Sequence, residues 1–447
     1  MELWGAHVVV VGLGASGLAA TRVLWGEGAR IRITESRPRH EVDSEASEAE
    51  RLGAEVMADG HRPEHLQGAA LVVASPGVPE SAEVLRWARQ RRVEVWSELE
   101  LGARLARCPY VAITGTNGKT TTTEIVARCL REGGLDAVAC GNIGHPFSLA
   151  AVEGHEALAV EASSFQLRFH HTFHPRVSIL LNLAPDHLDW HVSFDRYREA
   201  KRRVYERQGN SDTHVGNRDD AHAAAVSRDA PCPVRWFTLE PPDRGSVGMR
   251  GDDLIDHLGE AERGLATLSG PPSLRADAAA AAAAALSFGV DPDAVGRAVS
   301  SFGPLPHRGV VVAEVNRVRF VDDSKATNPH AALAAIDGLT DAVLVAGGRS
   351  KGVDLSPLAQ AATRLSAVIA LGEAAGELGA VFEGRVPVRT VSSIEEAVDL
   401  GAQLARPGGT VLLAPACASQ DMFRDYRERG DRFAAAARRL QEARARA

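Results

Sequence analysis

This 447-residue chain carries none of the usual marks of a metal clip, a disulfide framework or a membrane span. Its five cysteines (Cys108, Cys129, Cys140, Cys232 and Cys417) form no CxxC pair and no metal spacing with the 16 histidines. A scattered set of reduced thiols is therefore expected. The longest apolar run, from Ala278 to Leu286 and onward, is too short and too rich in alanine to cross a bilayer. Met1-Glu2-Leu3-Trp4 lacks the basic stretch of a secretory signal. Net charge is −8 with lysine and arginine dispersed, which leaves no basic footprint for nucleic acid. No short-period repeat occurs. These absences point to a cytoplasmic globular protein, expected to be a monomer, with neither nucleic acid nor membrane as partner.

Hydrophobic residues at 45% and charged residues at 24% are ordinary for such a protein. The length suggests about three domains. Short β-branched runs alternate with longer helical patterns, the signature of parallel sheets covered by helices. Val8-Val9-Val10-Val11, Leu71-Val72-Val73, Val111-Ala112-Ile113, Ser178-Ile179-Leu180-Leu181, Val343-Leu344-Val345 and Val411-Leu412-Leu413 are the expected buried strands. Breaks are placed near Ser97 and near Pro304, giving domains 1–97, 98–304 and 305–447. Residues 241–272, rich in Gly, Pro and Asp, read as loops and short strands. The alanines 278–285 suit a closely packed helix with no chemistry of its own.

Two glycine loops carry the chemistry. The strand at 111–113 runs into Gly115-Thr116-Asn117-Gly118-Lys119-Thr120-Thr121, with a helix expected over 121–131. Glycines let backbone amides close around phosphate oxygens, and the helix N-terminus adds its dipole. Lys119 would reach the β- and γ-phosphates of ATP, and the Thr120 hydroxyl would hold Mg²⁺. The spacing is shorter than that of the P-loop, since Ile113 stands where its first glycine should be. The second loop, Gly12-Leu13-Gly14-Ala15-Ser16-Gly17, follows a strand, and Glu35 ends the next one. That pattern offers a diphosphate site, with Glu35 on a ribose hydroxyl, and Glu35-Ser36-Arg37 would suit the sugar and base of a nucleotide. Two nucleotides are implied, one of which can be a substrate.

A longer series of motifs resembles a family, the Mur ligases of peptidoglycan synthesis, over essentially the whole chain. Besides the two loops it comprises Ser75-Pro76-Gly77, Gly141-Asn142-Ile143-Gly144, Glu161-Ala162-Ser163-Ser164-Phe165-Gln166-Leu167, Asn182 to Asp189, Tyr197 to Lys201, Leu305-Pro306-His307-Arg308, Asp322 to Asn328 and Pro415 to Ser419. The run Asp322-Asp323-Ser324-Lys325-Ala326-Thr327-Asn328 is similar to that of the D-glutamate-adding branch, and the Asp-Asn-Pro-Arg signature of the diaminopimelate-adding branch is missing. The resemblance implies an α/β protein of three domains. These are a Rossmann-like domain for a UDP substrate, a central ATPase domain with a parallel sheet, and a C-terminal Rossmann-like domain that closes on ATP. It implies that ATP, UDP-N-acetylmuramoyl-L-alanine and D-glutamate react through an acyl phosphate.

Site residues follow from the same match. Lys119, Glu161, His187 and Lys201 are the implied catalytic set, and Thr120, Glu161, His187 and Lys201 the ligands of two Mg²⁺ ions, with Lys201 carbamylated. A solvated lysine beside Arg202 and Arg203 is what spacing alone suggests for Lys201. Asp277, Arg308 and Asp323 would join the loop residues around ATP. Gly14, Ala15, Ser16, Glu35, Ser36, Arg37, Gly77, Asn142 and Ser163 would bind the UDP substrate. Thr327, Lys351, Ser419 and Tyr426 would bind D-glutamate, whose two carboxylates call for a lysine with hydroxyl and backbone donors.

One departure stands out. The family carries His-Asn-x-x-Asn before its central helix, where this chain has Ser273-Leu274-Arg275-Ala276-Asp277. Only Asp277 resembles the expected polar side chain. An acid accepts from the adenine amino group but cannot donate to a ring nitrogen. Another amino-acid-adding ligase of the superfamily, or a weakly active paralogue with an altered adenine site, therefore stays open as an alternative. An NAD-dependent oxidoreductase would leave the loop at 115–120 and the run at 322–328 without a role.

Overall fold

The computed structural model describes residues 2–446. The apolar runs become strands of three sheets. In the first, β1 (His7–Val11), β2 (Arg30–Thr34), β3 (Glu55–Met57), β4 (Leu71–Ala74) and β5 (Glu94–Ser97) lie in the order β3-β2-β1-β4-β5, all parallel. Val8, Val9, Val10 and Val11 are each 0% exposed, because helices cover both faces of the sheet.

The second sheet comprises β6 (Tyr110–Thr114), β7 (Ala137–Gly141), β8 (Ala157–Glu161), β9 (Val177–Leu180), β10 (Thr213–Asn217), β11 (Val234–Phe237), β12 (Ser246–Arg250), β13 (Asp253–His257) and β14 (Arg263–Thr267). Its order is β14-β13-β12-β11-β10-β9-β6-β8-β7, parallel except for the antiparallel β12-β13-β14 edge. That edge is built from the Gly- and Asp-rich segment after Pro241. The helices Lys119–Glu132 and Pro272–Phe288 pack together in the core on this sheet. All eight alanines from Ala278 to Ala285 are buried there, as packing.

The third sheet comprises β15 (Val310–Val315), β16 (Val318–Asp322), β17 (Ala342–Gly347), β18 (Leu365–Leu371), β19 (Val388–Thr390) and β20 (Thr410–Leu413), ordered β15-β16-β20-β17-β18-β19. Only β15 is antiparallel to its neighbour. Helices Ile394–Leu404 and Tyr426–Arg446 cover one face, and Pro329–Ile336 and Ala375–Phe382 the other.

Contacts divide the chain into two compact units, 1–183 with 195–302, and 184–194 with 303–447. Within the first unit the two sheets are pinned at the helix Glu98–Leu105. Ser97 caps it, accepting from the Glu100 amide at 3.2 Å, a bond of about 1 kcal/mol. The fully buried Glu100 carboxylate takes the amides of His171 and Thr172 at 2.8 and 2.9 Å. No helix among the described residues is long and apolar enough to cross a membrane.

Candidate active site

The glycine loop at 115–120, expected to hold phosphate, leaves the end of β6. Gly118 has a φ of 83°, a left-handed turn that glycine takes without strain, and it starts the helix at Lys119, two residues before the expected 121. Neighbours fix the loop from outside. The Asn117 amide donates to Asn182 Oδ1 at 2.8 Å, the Thr116 amide to Asn182 O at 3.0 Å, and Tyr197 Oη to Thr116 Oγ1 at 3.1 Å. Lys119 Nζ folds over the loop onto Gly115 O at 3.0 Å and Thr116 O at 2.9 Å. Thr121 is buried in the first turn.

Thr120 Oγ1 donates to Glu161 Oε2 at 2.8 Å, and Asn142 Nδ2 donates to Glu161 Oε1 at 3.0 Å. Glu161 stands at the carboxyl end of β8, so a carboxylate and a hydroxyl meet beside the loop. Asn142, expected against the UDP substrate, is engaged with Glu161 here. Asp277 lies on the other side of the loop. Its Oδ1 accepts from Thr122 Oγ1 at 3.2 Å, and a Cβ on Gly118 would stand 2.2 Å from that same oxygen.

Lys201 corrects the reading that spacing suggests. It is 1% exposed, not solvated with Arg202, and Nζ donates to Gly115 O at 2.7 Å while standing 4.7 Å from the centre of the Tyr197 ring. The structure thus puts this side chain under the loop, against an aromatic face.

At the first glycine turn, Gly17 is required by space, since a Cβ would lie 2.0 Å from Gly12 O. Gly14, Ala15 and Ser16 open the helix Ala15–Gly26, and Gly14 has nothing near its missing side chain. Glu35 is turned inward. Its Oε2 accepts from the Leu13 amide at 2.7 Å and from Arg37 at 3.0 Å, and its Oε1 from the Arg37 amide at 2.9 Å and Ser36 Oγ at 3.1 Å. Burial alone would raise its pKa, but the Arg37 guanidinium and these amides hold it down to about 2. The carboxylate expected on a ribose hydroxyl is thus occupied in holding the glycine turn, and Arg37 is the exposed charge at this edge. Gly77 is exposed beyond β4.

Ser163, expected against substrate, caps the short helix Ser164–Leu167. Its hydroxyl donates to Gln166 Oε1 at 2.8 Å and accepts from the Gln166 amide at 3.3 Å. Gln166 Nε2 in turn donates to the buried Glu98 at 3.4 Å.

The second unit gathers the remaining residues at the carboxyl edge of its sheet. Lys351 Nζ pairs with Asp186 Oδ1 at 2.5 Å, and Asn328 Nδ2 donates to Asp186 Oδ2 at 3.2 Å. The His187 amide bonds Asp186 Oδ1 at 2.9 Å. His187 and Lys351 have φ values of 53° and 58°, strained for side chains of this size and typical of functional loops. Thr327 lies one residue from Asn328 in the same turn, and Ser419 is buried after β20. Asp323 stands near Arg308. Burial raises its pKa to about 7, with Arg308 opposing and Asp322 adding to the rise. The Tyr426 ring is taken by Lys325, whose Nζ is 3.9 Å from its centre, and by His307 at 6.1 Å, so its aromatic faces serve the loop.

Asn182, Asp186 and Arg429 are not singled out by the sequence. Asn182 and Asp186 sit in a segment flagged as a motif. Arg429 had no signal, being one of many arginines in a basic helix. No group of three or more His, Cys, Asp or Glu side chains suited to a metal occurs among the described residues.

Residues 6–97 match the family described as the Mur ligase MurD-like N-terminal domain, 113–247 the Mur ligase middle domain, and 307–417 the Mur ligase glutamate ligase domain. The chain is 44% identical to a UDP-N-acetylmuramoylalanine--D-glutamate ligase from Frankia casuarinae, over 97% of this chain and 94% of that protein. It is 38% identical to the ligase of the same name from Geobacter metallireducens, over 98% and 99%. Among solved structures it is similar in fold to a MurF ligase from Thermotoga maritima in complex with ADP, with TM-score 0.62, 17% identity, and 93% and 96% of the two chains covered. A pseudomurein peptide ligase type C from Methanothermus fervidus gives TM-score 0.60 at 20% identity, over 92% and 96%.

Proposed function

This chain belongs to the Mur ligase family, and from that premise we propose that it uses ATP to join D-glutamate to UDP-N-acetylmuramoyl-L-alanine in cell-wall synthesis. The observation that carries the reading is the near full-length identity to ligases of that name, in a chain whose phosphate loop abuts a carboxylate at the sheet edge.

Amide formation from two ions needs an activated acyl group. The substrate carboxylate attacks the γ-phosphorus of ATP, ADP leaves, and an acyl phosphate forms. The amides at the helix start, 118–120, and Lys119 hold the phosphates and offset the repulsion between the two anions, while Asn182 takes the amides of Thr116 and Asn117. The amine of D-glutamate then adds to the acyl carbon, the tetrahedral adduct collapses, and phosphate departs with the proton lost from nitrogen. Gly14, Ala15, Ser16 and Arg37 serve the UDP end. Lys351, Thr327 and Ser419 serve the acceptor, with Lys351 held ready by Asp186.

The Thr120 hydroxyl and Glu161 carboxylate are hard oxygen donors beside the phosphate loop, a set that fits Mg²⁺. Bound there, the ion supplies positive charge to the phosphate oxygens. On this reading His187 would be a further metal ligand. Lys201 as an ammonium repels a cation. Its amine, buried beside the loop, can add CO₂ and release a proton to become an anionic carbamate. Asp277 braces Gly118 and Thr122 on this reading and leaves the adenine to other groups.

Phosphate release should be followed on mixing the chain with ATP, Mg²⁺, UDP-N-acetylmuramoyl-L-alanine and a panel of amino acids. Release with D-glutamate alone supports the proposal, release with another amino acid only replaces the acceptor, and none with any acceptor defeats it.

A further inference from the structure

Among the described residues Arg429 is the largest fully buried charged side chain, at 1% exposure. It enters the interior from the helix Tyr426–Arg446, where the next residue, Gly430, allows close approach. A Cβ there would lie 2.3 Å from His307 Nδ1. Its four hydrogen bonds all go to neutral oxygens. Nε reaches Ser324 Oγ at 3.0 Å, Nη2 reaches Ser324 O at 2.9 Å, and Nη1 reaches Cys417 O at 3.2 Å and Gly347 O at 3.4 Å. Burial without a bonded carboxylate lowers its pKa to about 10, so it remains a cation at neutral pH.

These oxygens belong to the carboxyl ends of β16, β17 and β20, which are neighbours in the sheet. Each end starts a loop of the acceptor set. Ser324 precedes Lys325 and Thr327, Gly347 precedes Lys351, and Cys417 precedes Ser419. Carbonyl dipoles converging on one point repel each other unless a donor stands between them, and a rigid guanidinium offers five N–H groups in fixed directions. Ser324 Oγ passes the constraint on, donating to Tyr426 O at 2.7 Å. A buried cation with no carboxylate among its hydrogen-bond partners is costly, and an apolar side chain would fill the space more cheaply. What the cation alone provides is the fixed spacing of three loops.

We propose that Arg429 is a positioning residue for the acceptor amino acid, holding the three loops that carry Thr327, Lys351 and Ser419 in one arrangement. The inference rests on those loops binding the acceptor, as proposed above. Arg429→Lys keeps the charge and loses the fork. It should raise KM for D-glutamate by about tenfold or more, while KM for ATP and for the UDP substrate stays within about twofold and kcat at saturating acceptor changes little. Ser324→Ala removes one acceptor and leaves the cation, so it should give a smaller shift of the same kind. It decides the matter if the Arg429 variant does not fold.

Equal rises in all three KM values, or an unchanged acceptor KM in both variants, would overturn the proposal. Amide exchange gives a readout independent of substrate. The segments 324–328, 347–351 and 416–419 should exchange faster together in the variants, and faster exchange confined to the helix 426–446 refutes positioning. Failure of the parent reading looks different, since the unmutated chain would then release no phosphate with D-glutamate.

Discussion

Gly118→Ala tests the floor of the proposed nucleotide site. At a φ of 83° an alanine costs about 1–2 kcal/mol in the left-handed region. Its Cβ would also stand 2.2 Å from Asp277 Oδ1, where ordinary contact needs more than a further ångström. Asp277 cannot retreat freely. It is 8% exposed, bonded to Thr122, and carried by a helix whose alanines are packed tight. Overpacking of this sort costs about 1–3 kcal/mol. The single variant should therefore lose about 2–5 kcal/mol of stability by urea titration, summing the two terms. In an Asp277→Ala background only the backbone term should remain, leaving a coupling of about 1–3 kcal/mol between the two sites. ATP affinity, measured by equilibrium titration, should fall in Gly118→Ala and recover in part in the double variant. If Gly118→Ala costs the same in both backgrounds, the carboxylate does not brace the loop and the reasoning fails.

Three further outcomes are expected. Gly17→Ala, whose Cβ would meet Gly12 O at 2.0 Å, should displace the first glycine turn, and KM for the UDP substrate should rise more than KM for ATP. Lys201→Ala should abolish most of the activity, and activity of the unmutated chain should depend on bicarbonate; full activity in the variant, or no bicarbonate effect, counts against the carbamate. His214 is buried neutral between Ser178 Oγ at 2.7 Å and Ser227 Oγ at 2.9 Å, and burial lowers its pKa to about 3. Because the unfolded chain takes up this proton below its ordinary 6.5 while the folded chain does not until about 3, stability should fall as pH drops through that window. Urea midpoints between pH 7 and pH 5 should decline more steeply in the unmutated chain than in His214→Gln, and equal slopes would exclude this histidine as the cause.

The sequence by itself was enough for features that live in a few consecutive residues. Runs such as Val8 to Val11 must be buried strands, because four branched apolar side chains in a row suit a sheet covered on both faces. Gly115 and Gly118 before Lys119 read as a glycine turn opening a helix, because glycine takes the left-handed turn seen at Gly118 without strain. The motif series from Gly12 to Ser419 likewise carried the family.

Only the tertiary structure decided how the polar groups are used. Thr120 meets Glu161 across 41 residues, Thr122 meets Asp277 across 155, and Asp186 meets Lys351 across 165. Periodicity cannot report such pairs, since they arise from which strand ends the topology sets side by side. Glu35 turned inward and Lys201 went under the loop for a related reason: burial and partners act on a side chain only once its neighbours are in place. Arg429 is the clearest case. In the sequence it is one arginine in a basic helix, and in the fold it is the cation on which three strand ends converge.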